Sequence, residues 1–257
     1  MKVFSIKTAA HLVATSLLIA LITTPASPAR HSNGPVLSSE EAAAVADVVT
    51  QFKNHSLSDC VALMDRLRPE AVSKEDKLAL KAAGFPLVDS NTEITNSLVL
   101  KELYKRTQSV LEFHHRAGIV EFIAFRNSDP VLMSKPGAFI AISTRAIELT
   151  KNDDALSGVT AHELSHEYFA MQFLDAYNTH NLEKHRKIEL LCDAFATVTL
   201  IKLKKDPQQY AVALSAIVHN SQSSERLNDG THEMPTLEAR LQVISQVQQL
   251  FTQTAAK

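Results

Sequence analysis

The sequence predicts a mainly α fold with a small β-sheet, an α+β arrangement, and three observations predict it. Apolar residues recur at helical spacing along most of the chain, with capping residues at the breaks. Only two short stretches, Ile119 to Phe125 and Ala138 to Ser143, are dense in β-branched and aromatic residues. Six glycines and no tryptophan suit a mainly helical chain.

The chain divides into three regions. Residues 1–29 have the three parts of a secretory signal peptide: Lys2 and Lys7, an apolar run from Leu12 to Ile22, and Pro25-Ala26-Ser27-Pro28-Ala29, with small residues placed for cleavage after Ala29 or Ala26. The apolar run is short for a membrane span, so a retained anchor is the weaker expectation, and no stable span is expected once the leader is cut. No cysteine lies near the cleavage site, which argues against a lipoprotein. The mature chain is therefore expected to be exported, periplasmic or secreted. Losing two lysines and no acid moves the formal charge from −2 to −4. No basic block remains, so nucleic acid is not an expected partner.

Residues 30–118 read as an N-terminal helical region. Ser38 with Glu41 makes a capping box for a helix carrying Val45, Val48, Val49 and Phe52. A second helix is expected near Leu57 to Leu67. A third opens on Ser73 with Asp76 and stops at Gly84 and Pro86. Phe85 to Asn96 reads as a loop, and a long helix should span about Ser97 to Arg116. His114 and His115 are adjacent, hence about 100° apart on a helix, and read as a polar surface pair.

Residues 119–257 carry the candidate chemistry. The two predicted strands are separated by a loop from Asn127-Ser128-Asp129-Pro130 to near Gly137, and Pro130 has no N–H to give a ladder. Asn152, Asp153 and Asp154 then cap a helix bearing His162-Glu163-Leu164-Ser165-His166. Histidines four apart project from one helical face, so both imidazoles can bind one ion. Glu163 can sit beside the open metal position, take a proton from metal-bound water and pass it to a leaving amine.

Glu189 and Asp193 stand on the next predicted helix, with no Gly or Pro between the two motifs. Glu189 is the candidate third ligand, completing the three protein ligands and one water usual at hydrolytic zinc. Asp193, one turn on, can accept the second N–H of a ligand histidine. Leu190, Leu191, Ala194, Phe195 and Ala196 surround these acids, and a carboxylate in apolar company needs a partner. Zn2+ is inferred from the ligand types, and other divalent ions are compatible.

His162 to His166 followed by Glu189-x-x-x-Asp193 resembles the gluzincin metalloproteases, and within them the family of HtpX-type heat-shock proteases and CAAX prenyl endopeptidases. The likeness covers roughly residues 119 to 245. It takes in Lys135 to Ser143, then Asn152 to Leu156, and downstream Thr231-His232-x-x-Pro235 with the later Arg240. The resemblance implies a zincin-like fold and zinc endopeptidase activity. It also implies an edge strand that holds extended substrate by backbone hydrogen bonds. Phe139 to Ser143 corresponds to that edge; read from its residues alone it is as well an ordinary core strand. The chain departs from the family in the 22 residues between His166 and Glu189, where a longer insertion is common, and in Glu233 and Met234 between His232 and Pro235.

The resemblance assigns His232 to the oxyanion of the tetrahedral intermediate, whereas the residue alone reads equally as an exposed loop histidine. Arg240, on the first turns of a terminal helix from about Pro235 to Phe251, reads either as a surface charge or as an ion pair to the His232 loop or to an acid near the site. Asp206-Pro207 begins another helix through about Ser221, and Gln222 to Gly230 is loop-like. Cys60 and Cys192 are the only cysteines. Cys192 reads as a buried free thiol, a disulfide partner of Cys60 or an alternative zinc ligand. Besides an exported endopeptidase acting on protein or peptide substrates, three alternatives stay open: a metal-binding chaperone-like or latent protein, a purely structural helical protein, and a different gluzincin family.

Overall fold

The structure, a computed structural model, describes residues 19–20, 37–67, 70–82, 88, 91–221 and 234–253. The expected signal peptide, apart from Ile19 and Ala20, and the segment 222–233 with His232 lie outside these residues. Helices dominate and one small mixed sheet accompanies them.

The first helix, α1 (Ser39–Lys53), opens on the capping box: Glu41 N donates to Ser38 Oγ at 3.1 Å and Ser38 N to Glu41 Oε2 at 2.8 Å. Its apolar stripe, Val45, Val48, Val49 and Phe52, packs inward, and the Phe52 ring meets Phe195 edge-on at 5.3 Å. Two shorter helices follow, α2 (Leu57–Leu67) and α3 (Lys74–Ala82). The long helix α4 (Ser97–Phe113) starts from an Asn96 cap but stops short of Arg116. His115 at φ +47° and Gly118 at φ +72° turn the chain there, and the Arg116 N–H bends back to Leu111 O at 2.6 Å.

The surface pair expected at 114 and 115 is split. His114 is fully buried, its two ring nitrogens 2.8 Å from Tyr168 OH and 3.1 Å from Thr199 Oγ1, so both have partners in the interior. His115 remains at the surface, 3.0 Å from Asp65.

Among the described residues five strands form the sheet: β1 (Ile19–Ala20), β2 (Glu93–Ile94), β3 (Glu121–Phe125), β4 (Leu132–Lys135) and β5 (Phe139–Ser143), in the order β1-β4-β5-β3-β2. β3 and β5 run parallel, with Phe122 opposite Ile140; the other pairs are antiparallel. Phe139–Ser143 is thus an interior strand and not an edge. The edges fall to the two-residue strands β1 and β2; β4 lies between β1 and β5, with Ile19 opposite Ser134. β4 lies inside the expected loop because Leu-Met-Ser-Lys contains no β-branched or aromatic residue and follows Pro130. It is joined to β5 by a turn with Pro136 second and Gly137, at φ +71°, third, and with Ala138 N bonded to Lys135 O at 3.0 Å.

Side chains alternate across this sheet. Phe122, Ala124, Leu132, Ile140 and Ile142 belong to the main core, while Ile123, Phe125, Met133, Phe139 and Ala141 pack with Leu80 of α3 on the other face. Beyond the sheet come α5 (Thr144–Leu149), α6 (Asp153–Ser165), α7 (Ala170–Asn178), α8 (Leu182–Lys202), α9 (Pro207–Asn220) and α10 (Leu237–Thr252). The separate helix α7 between the two motifs was not expected; with no Gly or Pro available, the chain breaks after it at His180, φ +50°. α6 and α8 pair along their lengths, α9 lies on α6, and α10 and α1 lie on α8. Among the described residues no helix is long and apolar enough to cross a membrane.

One buried ion pair ties these layers together. Arg116 Nε donates to Glu167 Oε2 at 2.5 Å, while Glu167 Oε1 accepts the Gly137 N–H at 2.8 Å. The Arg116 carbonyl accepts from Ile119 and Val120 at the approach to β3. The end of α4, the β4–β5 turn and the residue after His166 are therefore held by one pair of charges. Arg116→Met leaves Glu167 as an uncompensated buried charge and is expected to destabilise the fold by about 3–5 kcal/mol, read from urea denaturation.

Candidate metal centre

The two motifs sit on the central helices. α6 begins at an Asn152 cap, whose side chain accepts from Ala155 N at 2.8 Å. Its first-turn acids are held by Arg106, 2.8 Å from Asp153, and Lys205, 3.2 Å from Asp154. Every residue from Ala155 to Ser165 is buried, so the helix is enclosed on all sides and carries its polar groups into the interior. His166 is its C-cap, still in right-handed helical conformation, and so keeps the i, i+4 relation to His162. α8 brings Glu189 and Asp193 against the same face.

The structure brings together His162, Glu163, His166, Glu189, Asp193 and Arg240. His162, Glu163 and His166 are 0 % exposed and Glu189 1 %. His162 Nδ1 lies 2.8 Å from Asp193 Oδ1, which assigns the ring hydrogen to Nδ1 and turns Nε2 toward Glu189. His162 Nε2 is 3.4 Å from Glu189 Oε2, and His166 Nε2 is 3.7 Å from Glu189 Oε1. One ligand atom from each of the three residues lies within 4.8 Å of the others. Tetrahedral zinc with bonds of about 2.0–2.2 Å separates its ligand atoms by roughly 3.3–3.6 Å. Among the described residues, His162 Nε2, His166 Nε2 and Glu189 Oε2 are buried without a hydrogen-bond partner. Three orphaned donor atoms converging at metal spacing fit a divalent cation, and this cluster could hold one.

Asp193 is the anchor beneath the cluster. Arg240, buried on α10, grips it with both arms, Nε to Oδ2 and a terminal nitrogen to Oδ1, each at 2.7 Å. Its partner is thus an acid at the site and not solvent. His232 lies outside the described residues. Cys60 and Cys192 are both buried free thiols. Cys192 Sγ is 3.4 Å from His166 Nδ1, whereas the cluster gathers at His166 Nε2, so the thiol meets the histidine on its other ring nitrogen.

Burial and charge set the protonation of the metal-free site. For His162, burial opposes protonation, but the Asp193 carboxylate beside it prevails and raises its pKa to about 9. Burial lowers His166 to about 3. Burial pushes Glu189 up, yet the two histidines more than offset this and hold it below the usual carboxylate range. Arg240 similarly overcomes burial to keep Asp193 at about 2. Glu163, with both oxygens buried and no hydrogen-bond partner among the described residues, is raised by burial to about 7.

Ser134 is a neighbour of this site that the motifs do not announce. It stands on β4 on the same face as Leu132, toward α6 and Glu163, and its hydroxyl is likewise buried without a hydrogen-bond partner among the described residues. Only strand pairing brings it there. The chain matches no protein-family model and no curated protein.

Two outcomes follow from the geometry. At pH 7 the metal-free cluster holds one displaceable proton, on His162 Nε2, because His166 and Glu189 are already deprotonated. Zinc binding should release about one proton, and apparent affinity should rise about tenfold per pH unit from 7 to 9 and level off above. Calorimetry in buffers of different ionisation enthalpy measures both. Asp193→Asn should weaken zinc binding about 10–100-fold, read by chelator competition.

Proposed function

We propose that this protein is an exported zinc-dependent endopeptidase with a zincin-like fold, of the gluzincin type that the motifs resemble, acting on protein or peptide substrates. The observation that carries the proposal is the convergence of His162 Nε2, His166 Nε2 and Glu189 beside the unpartnered Glu163 carboxylate. A site built only to hold a metal needs the first three and has no use for the fourth.

His162, His166 and Glu189 would hold the ion. Zinc there supplies Lewis-acid polarisation and brings the pKa of water toward neutrality. Glu163 does the proton work: with a pKa of about 7 it can accept the proton of the attacking water and return it to the departing amine nitrogen. Asp193 and Arg240 keep His162 in one tautomer and orientation through the cycle. His232 is proposed to share the negative charge that develops on the carbonyl oxygen. The expected signal peptide supports export.

The complete burial of the four central residues favours one alternative, a latent or binding protein that keeps the metal without turnover. The purified mature chain and its Glu163→Gln variant separate the two. The proposal expects one zinc per chain in both, casein hydrolysis by the parent, and a loss of about 100-fold or more in the variant. Zinc in both with no hydrolysis by either selects the alternative. No zinc uptake by the parent overturns both.

A further inference from the structure

Tyr210 belongs to neither motif, yet it reaches the centre of the site from α9. Its ring is fully buried, and its hydroxyl donates to Asp193 Oδ1 at 2.5 Å and lies 3.3 Å from His162 Nδ1. The same Asp193 oxygen is 2.8 Å from His162 Nδ1 and 2.7 Å from the Arg240 guanidinium, so three groups on three helices meet at one atom. A packing role would need only the ring; a buried phenol needs a partner, and this one uses the oxygen that orients a ligand histidine.

The close approach of that ring depends on Gly158. On α6, Gly158, His162 and His166 are spaced four apart and share one stripe. A Cβ built at Gly158 would lie 2.5 Å from Tyr210 Cβ, 2.6 Å from Cγ and 2.7 Å from Cδ2. Glycine inside a helix costs about 0.5–1 kcal/mol relative to alanine, so its place here is not explained by helix formation. It is explained by the ring that fills the space. Burial pushes the Tyr210 hydroxyl well above its ordinary pKa, which keeps it a donor.

We infer that Gly158 and Tyr210 form a positioning pair for the metal centre: the missing side chain at 158 seats the ring, and the hydroxyl fixes the Asp193 oxygen that holds His162 in its binding orientation. This rests on the reading of His162, His166 and Glu189 as a zinc centre. Tyr210 touches neither ion nor substrate, so it acts through Asp193.

The test measures zinc affinity of the full chain by chelator competition for the parent, Tyr210→Phe, Gly158→Ala and the double variant, with the visible spectrum of the Co2+-loaded forms alongside. Tyr210→Phe is expected to keep one zinc per chain and to bind it about tenfold or more weakly, with a shifted Co2+ ligand-field band. Gly158→Ala should weaken binding by a similar factor, and should weaken it no further in the Tyr210→Phe background, where no hydroxyl is left to misplace. A parent that binds zinc beside a Tyr210→Phe variant that binds it equally tightly, with an unchanged Co2+ spectrum, overturns the inference and leaves the zinc centre standing. Losses that simply add in the double variant overturn the link to Gly158. If Gly158→Ala does not fold, the Tyr210→Phe comparison decides alone. A parent that takes up no zinc overturns the zinc centre and this inference with it.

Discussion

A carboxylate with no access to water governs the interior of this protein. Asp193 sits on α8 with 0 % exposure, and an ionised group there is tolerated only if its charge and its lone pairs are both answered. Arg240 answers the charge from α10, His162 and Tyr210 supply further donors from α6 and α9, and the four helices are thereby fixed around one side chain. Because Arg240 neutralises Asp193, the negative charge of Glu189 is left for a cation. The polar order of the site thus runs outward from Asp193 to His162 and on to the cluster of His162, His166 and Glu189 that could hold a cation.

A second buried pair organises the opposite side of the motif. Glu167, the residue after His166, accepts from Arg116 and from the turn at Gly137. The helix end that carries His166 and the hairpin that carries β4 are therefore mechanically joined. Strand alternation then presents Ser134 toward Glu163 and Lys135 toward α3, where its ammonium donates to Leu80 O at 3.0 Å. The sheet is small, but it sets one wall of the site.

Much of this was legible in the amino-acid order because its signals are local. The Ser38–Glu41 box, the Asn152 cap and the Asp206-Pro207 start mark helix ends through hydrogen bonds made within a turn, and the helices begin there. The i, i+4 spacing of His162 and His166, and of Glu189 and Asp193, places each pair on one face by helical geometry alone. Local signals misled where tertiary contacts prevailed. His114 looked like a surface residue but found Tyr168 and Thr199 in the interior, and α4 ended early because Arg116 is drawn to Glu167. β4 has poor strand propensity and forms because β5 offers it a ladder.

The sequence by itself determined the helical class and most helix starts, and it marked His162, His166 and Glu189 as a group that could hold a metal ion, since each depends on chemistry within a turn or two of backbone. Only the tertiary structure decided that β5 is interior and lies between β4 and β3, that Arg240 reaches Asp193, that Cys192 meets the far side of His166, and that Tyr210 and Gly158 pack beside Asp193 and His162. The physical reason is the same in each case. These relations join residues far apart in the chain, and what selects them is the need to pair every buried charge and fill every buried space, which no local pattern records.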